Sequence, residues 1–264
     1  MSQLAEKFCF CTLALGKKYR ILTQQLAVDL AKYAPNNPLV VGTDEPEDFK
    51  DSPNIIPFEH HKQGILHCYH DKRFVLDQAL SLFPAAIHID ADTRMLADIP
   101  TGLAWSPGIT GCSENMIEHV KKYNPERLEP LKKVASKINV AVEEVNWIGE
   151  SIYVVTRDGD KEKEFVRLWG FIGRYLELNG IHHGDGNVMG LAAAKIGWTV
   201  HYNDGWEAIR KITKHLDASY RENSHLFYQE KRGYGDNLKR RLDYHYRLNR
   251  ARLMALKDFD FYYR

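Results

Sequence analysis

The chain has 264 residues, of which 44% are hydrophobic, and this is enough to bury one substantial core. Its 36 Lys and Arg residues nearly balance 35 Asp and Glu residues, and the formal net charge of +1 excludes a whole-molecule attraction to nucleic acid or to an anionic membrane. The four cysteines form no C-x-x-C pair, and the apolar run near the N terminus is too short to span a bilayer. We therefore expect reduced thiols in a soluble, cytoplasmic protein without a transmembrane segment.

Short apolar runs alternate with amphipathic segments over the first hundred residues. The runs predict strands over 8–13, 39–41, 54–58 and 86–89, and apolar residues at helical spacing predict helices over 22–33 and 71–83. Such alternation is typical of an α/β fold in which helices flank a mostly parallel central sheet. Ligands of these folds bind beyond the carboxyl ends of the strands.

The second half of the chain is predicted to contain more helix than strand. We predict charged helical sequence over about 114–145, a strand over 152–155, a helix over 165–178, and a polar loop over 179–187 that leads into another helix. A basic, tyrosine-bearing segment from Lys231 to Arg252 predicts a helical C-terminal extension. That extension could cover a bound diphosphate, form a solvated helix or, as a weaker option, bind RNA.

Asp90-Ala91-Asp92 stands where the strand over 86–89 ends. Two carboxylates separated by one small residue suit a hard divalent cation, because Mg²⁺ and Mn²⁺ take oxygen ligands and share their remaining positions with phosphate oxygens. Asp-x-Asp also occurs in many surface loops, but the preceding buried strand favours a metal site here.

Asp185 lies between Gly184 and Gly186, just before the predicted helix. A carboxylate among small residues can accept a proton from a hydroxyl that approaches it, so Asp185 is a candidate general base. The alternative is a plain helix N-cap, in which the carboxylate binds free backbone amides.

The helix over 71–83, the strand Ala86-Ile-His-Ile and the Asp-x-Asp together resemble the corresponding run of the GT-A glycosyltransferases. The resemblance covers roughly residues 8–205. It implies a Rossmann-like GT-A fold with a catalytic domain over 1–215, made of a donor-binding half over about 1–112 and an acceptor-side half over about 113–215. The extension would then span 216–264.

The same resemblance implies roles for particular residues on the donor side. Asp90 would lie near the ribose of a nucleotide-sugar, and Asp92 would bind the Mn²⁺ or Mg²⁺ that bridges the donor diphosphate. Thr12 and Asp44 would contact the nucleotide and Arg73 would lie near the donor, although Arg73 is equally well explained as a solvated helix charge. Family members often add a histidine metal ligand, for which we favour His225 over His201 and His215.

On the acceptor side, the resemblance makes Asp185 the general base for a glycan or small-molecule hydroxyl. His182 and His183 would line the acceptor pocket, with Glu150 nearby as a further carboxyl group. Trp147 could stack on a sugar face, and it could equally belong to the core. We expect no nucleic-acid partner.

Three other functions remain open from the sequence. His88, Asp90 and Asp92 could join His182, His183 and Asp185 in a metal-dependent hydrolase site. A nucleotidyltransferase would also use aspartates in an α/β fold, but the segment around Leu15-Gly16-Lys17-Lys18 lacks the expected glycine-rich phosphate loop. A non-catalytic sugar-nucleotide-binding module is the third alternative.

Overall fold

The computed structural model describes residues 7–218 and 234–264. Its strands are β1 (Phe8–Ala14), β2 (Leu39–Thr43), β3 (Ile55–Glu59), β4 (Ala85–Ile89), β5 (Thr93–Met95), β6 (Gly108–Asn115), β7 (Asn146–Thr156), β8 (Val200–His201) and β9 (Thr213–His215). Its helices are α1 (Lys17–Tyr33), α2 (Lys72–Leu82), α3 (Met116–Tyr123), α4 (Leu128–Lys137), α5 (Lys161–Leu178), α6 (Asp185–Lys195), α7 (Asp204–Lys211), α8 (Tyr234–Ala255) and α9 (Phe259–Tyr263).

Within the described residues, seven strands form one sheet in the order β3-β2-β1-β4-β7-β6-β8, and β5 pairs with β9 in a separate ladder. Strands β1 to β4 are mutually parallel, whereas β7 runs antiparallel to both β4 and β6. The fold is therefore α/β, with a mostly parallel central sheet flanked by helices and a C-terminal helix, as predicted.

Alternate side chains of the strands build two cores on opposite faces of the sheet. Along β1, Cys9 and Cys11 belong to one core, while Phe8 and Phe10 belong to the other. The first core packs under α2, α5 and α6, and the second packs under α1 and α7. Burial on both faces explains why β1, β2 and β4 are continuous apolar runs rather than alternating ones.

The prediction for residues 114–145 was only partly correct. Two helices, α3 and α4, occupy much of this range, but Pro125 opens a short 3₁₀ turn between them, and the range begins inside strand β6. The sequence of β6, Gly-Ile-Thr-Gly-Cys-Ser-Glu-Asn, lacks the strong apolar pattern of the other strands. Its pairing with the long strand β7 provides the stability that local propensity does not.

Helix α6 packs unusually close to β7 because glycines face the strand. A β-carbon on Gly190 would lie 1.9 Å from the Asn146 carbonyl oxygen, and one on Gly186 would lie 2.2 Å from the Ile148 carbonyl oxygen. The two glycines are four residues apart and so share one face of the helix. This contact places α6 beside the first residues of β7.

The C-terminal helices pack on the outside of α5. Tyr262 of α9 is buried, and its hydroxyl donates to the Phe171 carbonyl oxygen at 3.1 Å. Ala251 and Ala255 form the buried face of α8. Among the described residues, no helix has the length and apolar character required to cross a membrane.

We expect Gly190→Ala to destabilise the fold by about 2 kcal/mol or more, because the added methyl group overlaps a backbone oxygen that cannot rotate away. Chemical denaturation measures the change. Gly235→Ala on α8 is the matched control, since a β-carbon there meets no described atom within 4 Å and alanine favours helix. Equal stability of the two variants would contradict the close approach of α6 to β7.

Candidate functional site

A metal-binding group forms where β4 ends. After Ile89 the chain turns, with the Thr93 amide donating to the Asp90 carbonyl oxygen at 3.0 Å. Strand β5 then pairs with β9 so that Thr93 lies opposite His215. This pairing brings a histidine from far along the chain next to Asp92.

The side chains of Asp90, Asp92 and His215 converge, with one ligand atom of each lying within 4.8 Å of the others. His215 Nε2 lies 3.1 Å from Asp92 Oδ1 and 3.6 Å from Asp90 Oδ2. The other Asp92 oxygen accepts the Ala218 amide at 2.7 Å, which orients the carboxylate. Two carboxylates and one imidazole suit Mn²⁺ or a similar divalent cation, so these residues fit a metal.

The group carries excess negative charge. Burial alone would lower the pKa of His215, but its hydrogen bond to Asp92 and the charges of Asp92, Asp90 and Asp217 outweigh burial and raise it. His215 is thus held in place by carboxylates on both sides, with Nδ1 3.3 Å from Asp217 Oδ1. Such surroundings favour a bound cation.

Lys72 is buried next to this group, in the first turn of α2. Its Nζ lies 2.8 Å from Asp90 Oδ1 and 3.3 Å from Asp185 Oδ2. Burial raises the pKa of Asp90, but the Lys72 ammonium and the hydrogen bond from His88 outweigh burial and hold that pKa well below its usual range. Both carboxylates therefore share one buried counter-charge.

Asp185 opens helix α6, but it does not cap the helix. Gly184 is the N-cap residue, with φ at 87°, and no side chain makes a capping hydrogen bond there. The Asp185 side chain is fully buried, and neither of its oxygens accepts a hydrogen bond from a described backbone amide. The structure thus does not support the plain N-cap interpretation.

Glu150 is the close neighbour of Asp185. The Gly186 amide donates to Glu150 Oε1 at 2.9 Å, which ties β7 to the start of α6. Burial and then the Asp185 charge raise the pKa of Glu150 well above its usual range. Burial would raise the pKa of Asp185, but the Lys72 charge outweighs burial and lowers that pKa, so Glu150 holds a proton more tightly than Asp185 does.

These groups border a cavity of about 660 Å³. The metal-binding side includes Asp90, Ala91, Asp92, His215 and Asp217, with Leu13, Leu15 and Tyr19 beside them. The side formed by β7 and neighbouring helices includes His119, Asn124, Arg127, Trp147, Glu150, Ser151, Gly184 and Asn187. Glu150 reaches the cavity, whereas Asp185 lies behind the lining.

Aromatic rings shape the far wall and the rim of the cavity. Trp147 stacks on His119 with a centroid distance of 4.0 Å and an interplanar angle of 10°. The His67 ring lies 4.3 Å from that of His183, and Tyr69 packs against both. Burial and then the neighbouring His183 lower the pKa of His67 to about 4, so the His67 ring is mostly neutral at neutral pH.

The remaining residues predicted for the donor side lie elsewhere. Thr12 is fully buried within β1. Asp44 accepts the Gly16 amide at 3.1 Å and pairs with Arg20 at 2.7 Å, so it braces the turn after β1. Arg73 points away from the cavity, where its guanidinium lies 3.6 Å from the Phe74 ring centroid and burial lowers its pKa to about 10.

Two of the predicted histidines, His88 and His182, do not line the cavity. His88 is buried and stacks on Tyr153. His182 does not line the cavity, although His183 does. Neither His182 nor His183 joins a metal-ligating group in the described ranges, so the hydrolase constellation does not assemble there. His225 lies outside the described residues.

The sequence reasoning missed one functional candidate, Lys72, and ranked another, His215, below His225. Lys72 was not singled out, because nothing in its local sequence signals burial. His215 was considered and set aside in favour of His225. The only available signal for His215 was its short extended segment, Thr213–His215, which needs a partner strand to be recognised.

The sequence matches no protein-family model, and no curated protein is similar to it at a significant level. Among solved structures, the chain is similar to the apo structure of WbbM, a bifunctional glycosyltransferase, with a TM-score of 0.45 and 11% identity. The match covers 75% of this chain and 39% of that one, so this chain spans about two fifths of its length. A likeness at this TM-score does not assign a function.

We expect Lys72→Met to destabilise the protein by about 3–5 kcal/mol, because Asp90 and Asp185 lose their shared buried counter-charge. Adding Asp185→Asn to Lys72→Met should restore part of that loss, which urea denaturation of the single and double variants measures. Lys133→Met, at an exposed position of α4, is the control and should change stability by less than about 0.5 kcal/mol. Equal stability of Lys72→Met and Lys133→Met would refute the buried ion-pair network.

Proposed function

We propose that this chain is a metal-dependent glycosyltransferase of the GT-A type, which transfers a sugar from a nucleotide-sugar to an acceptor hydroxyl. The supporting observation is the position of two groups of side chains at one cavity. A metal-ligating group follows strand β4 at the edge of the 660 Å³ cavity, and a carboxyl pair adjoins it on the acceptor side. The two sites are linked through Lys72, which contacts a carboxylate of each.

On the donor side, Asp92 and His215 would hold the cation together with Asp90. A divalent cation bound there would neutralise the charge of the leaving diphosphate. Leu13, Leu15 and Tyr19 offer an apolar and aromatic wall for a nucleotide base. Donor contacts remain predictions for Thr12, Asp44 and Arg73. In the structure Thr12 is buried within β1, Asp44 stabilises the turn after β1, and Arg73 packs on the Phe74 ring.

On the acceptor side, Glu150 is the carboxyl group that an incoming hydroxyl meets. The acceptor oxygen would form a bond to the anomeric carbon of the sugar while the bond from that carbon to the diphosphate breaks, and the bonding electrons leave with the diphosphate. The hydroxyl proton would pass to the Glu150–Asp185 pair, which has room for one more proton. Trp147 would stack on the acceptor, beside Asn187 and Arg127.

Asp185 retains its proposed role as the ionised base, but it acts through Glu150 rather than by touching the acceptor. The pair explains why a general base can lie behind the cavity wall. His182 and His183 remain predictions for the acceptor side, and His183 has the better position of the two because it lines the cavity.

The identity of the cation and the location of the protein belong to the same proposal. The mixed oxygen and nitrogen ligands favour Mn²⁺ over Mg²⁺, which prefers oxygen alone. All four cysteines are free thiols, which is compatible with the predicted reducing, cytoplasmic environment.

Asp92→Asn should abolish Mn²⁺-dependent binding of nucleoside diphosphates, because the substitution removes the central anionic ligand. Thermal-shift measurements with a panel of nucleoside diphosphates, with and without Mn²⁺, detect the loss, since a ligand that binds only the native state raises its stability. Asp98→Asn, at an exposed position after β5, is the matched control. Unchanged metal dependence in Asp92→Asn would remove the donor site from this position.

Asp185→Asn and Glu150→Gln should each slow sugar transfer by about 10²–10⁴-fold while nucleotide affinity stays near that of the unmodified protein. The reason is that either change breaks the proton-holding pair without touching the metal ligands. Release of nucleoside diphosphate from nucleotide-sugars in the presence of acceptors measures the rate. Near-normal rates in both variants would exclude this pair as the base.

A further inference from the structure

Helix α8 exposes an apolar stripe, interrupted by Asn249, that the proposed transferase chemistry does not use. The stripe consists of Leu238, Leu242, Tyr246 and Leu253, which are 58%, 62%, 68% and 67% exposed. Their spacing of four, four and seven residues places them on one face of the helix. That face lies away from Ala251 and Ala255, which pack against the protein.

The concentration of exposed apolar side chains in this region is exceptional for the described chain. Eight of its fifteen exposed large hydrophobic residues lie between Leu238 and Tyr263, a small fraction of the chain length. Scattered single residues of this kind are normal, whereas a contiguous set marks an interaction surface.

Basic residues flank the stripe on both sides. By helical periodicity, Arg241 and Arg252 lie along one margin, and Lys239 and Arg250 lie along the other, and all four are exposed. Helix α8 carries six Lys and Arg residues against two Asp residues, whereas the whole chain has a formal net charge of only +1. The positive charge is therefore concentrated around the stripe.

We propose that α8 docks this protein on an anionic lipid bilayer surface, with Leu238, Leu242, Tyr246 and Leu253 inserted at the level of the headgroups. An apolar face with Lys and Arg along its margins is the arrangement that lets a helix lie in a membrane interface. Tyrosine suits the boundary because its ring is apolar and its hydroxyl is polar. The basic margins then meet the negative headgroups.

Other occupants fit the surface less well. A second copy of α8 packed stripe against stripe would bring the arginine-lined margins of both helices together, and their like charges would repel. RNA would use the positive charge, but it offers nothing that benefits from burying three leucines. A lipid surface satisfies both the apolar stripe and its margins.

The position of α8 gives the docking a consequence for the cavity. Arg247 Nε donates to the Ile65 carbonyl oxygen at 3.3 Å, and the flanking residues Lys62 and Leu66 line the 660 Å³ cavity. The loop over 62–66 thus separates α8 from the cavity by a single layer of chain. A protein docked through α8 would hold the rim of its cavity near the lipid surface.

The test uses the full chain in vesicle flotation, without nucleotide, metal or sugar, so its result is independent of the proposed transferase activity. The protein should float with vesicles of phosphatidylcholine and phosphatidylglycerol in equal parts, and not with phosphatidylcholine alone. Raised NaCl should weaken the association, because salt screens the headgroup charge.

Variants separate the two contributions to docking. Leu242→Gln and Leu253→Gln should each weaken binding to the anionic vesicles about tenfold, since each removes one inserted apolar side chain. Val28→Gln, at a position of α1 that is 70% exposed, is the matched control and should bind normally. The double variant Arg241→Glu/Arg252→Glu should weaken binding by about tenfold or more, with Lys133→Glu as its control.

Melting curves verify that the variants remain folded, as expected for substitutions at exposed positions. Failure of the unmodified protein to float with anionic vesicles would overturn the proposal. Normal flotation of both leucine variants alongside weakened flotation of the arginine variant would also overturn it, because binding would then be purely electrostatic. A concentration-dependent dimer that the leucine substitutions dissociate would identify the stripe as a contact between copies instead.

Discussion

The burial of Lys72 between two carboxylates is the interaction on which the organisation of the site depends. An ammonium group removed from water is costly unless anions surround it, and here Asp90 and Asp185 supply them from two distant segments of the chain. The charges raise the pKa of Lys72 well above its usual range in spite of burial. Because each carboxylate would be equally costly alone, strand β4, helix α2 and helix α6 are held in one arrangement.

Two backbone contacts then position the other residues of the site. The glycine face of α6 allows the helix to approach β7 closely enough for the Gly186 amide to reach Glu150. On the other side, the β5–β9 ladder carries His215 to the aspartates. In both cases main-chain geometry positions the functional side chain, and main-chain geometry is stiffer than a set of side-chain contacts alone.

The roles proposed for the site residues follow from how deeply each of them is buried. Asp90, Asp92 and His215 face the cavity as a partly exposed anionic group, and Glu150 faces it as a carboxyl group whose pKa is raised by burial and by the Asp185 charge. Asp185, whose pKa the Lys72 charge lowers in spite of burial, lies behind it. Helix α8, packed on α5 and linked to the loop over 62–66, adds a surface outside the cavity whose apolar stripe and basic margins suit a lipid interface.

The sequence by itself determined the elements that local pattern controls. Apolar runs marked β1, β2 and β4, helical spacing marked α1, α2 and α5, and the end of β4 located Asp90 and Asp92, because a strand buried on both faces has a recognisable composition. Strand β6 and the short strands β5 and β9 carry too little local signal, since their stability comes from partners far along the chain.

For the same reason only the tertiary structure decided that His215 meets the aspartates, that Lys72 is buried between Asp90 and Asp185, and that Glu150 rather than Asp185 reaches the cavity. Each of these placements depends on contacts between residues that are distant in sequence, and their energies appear only when the chain is folded.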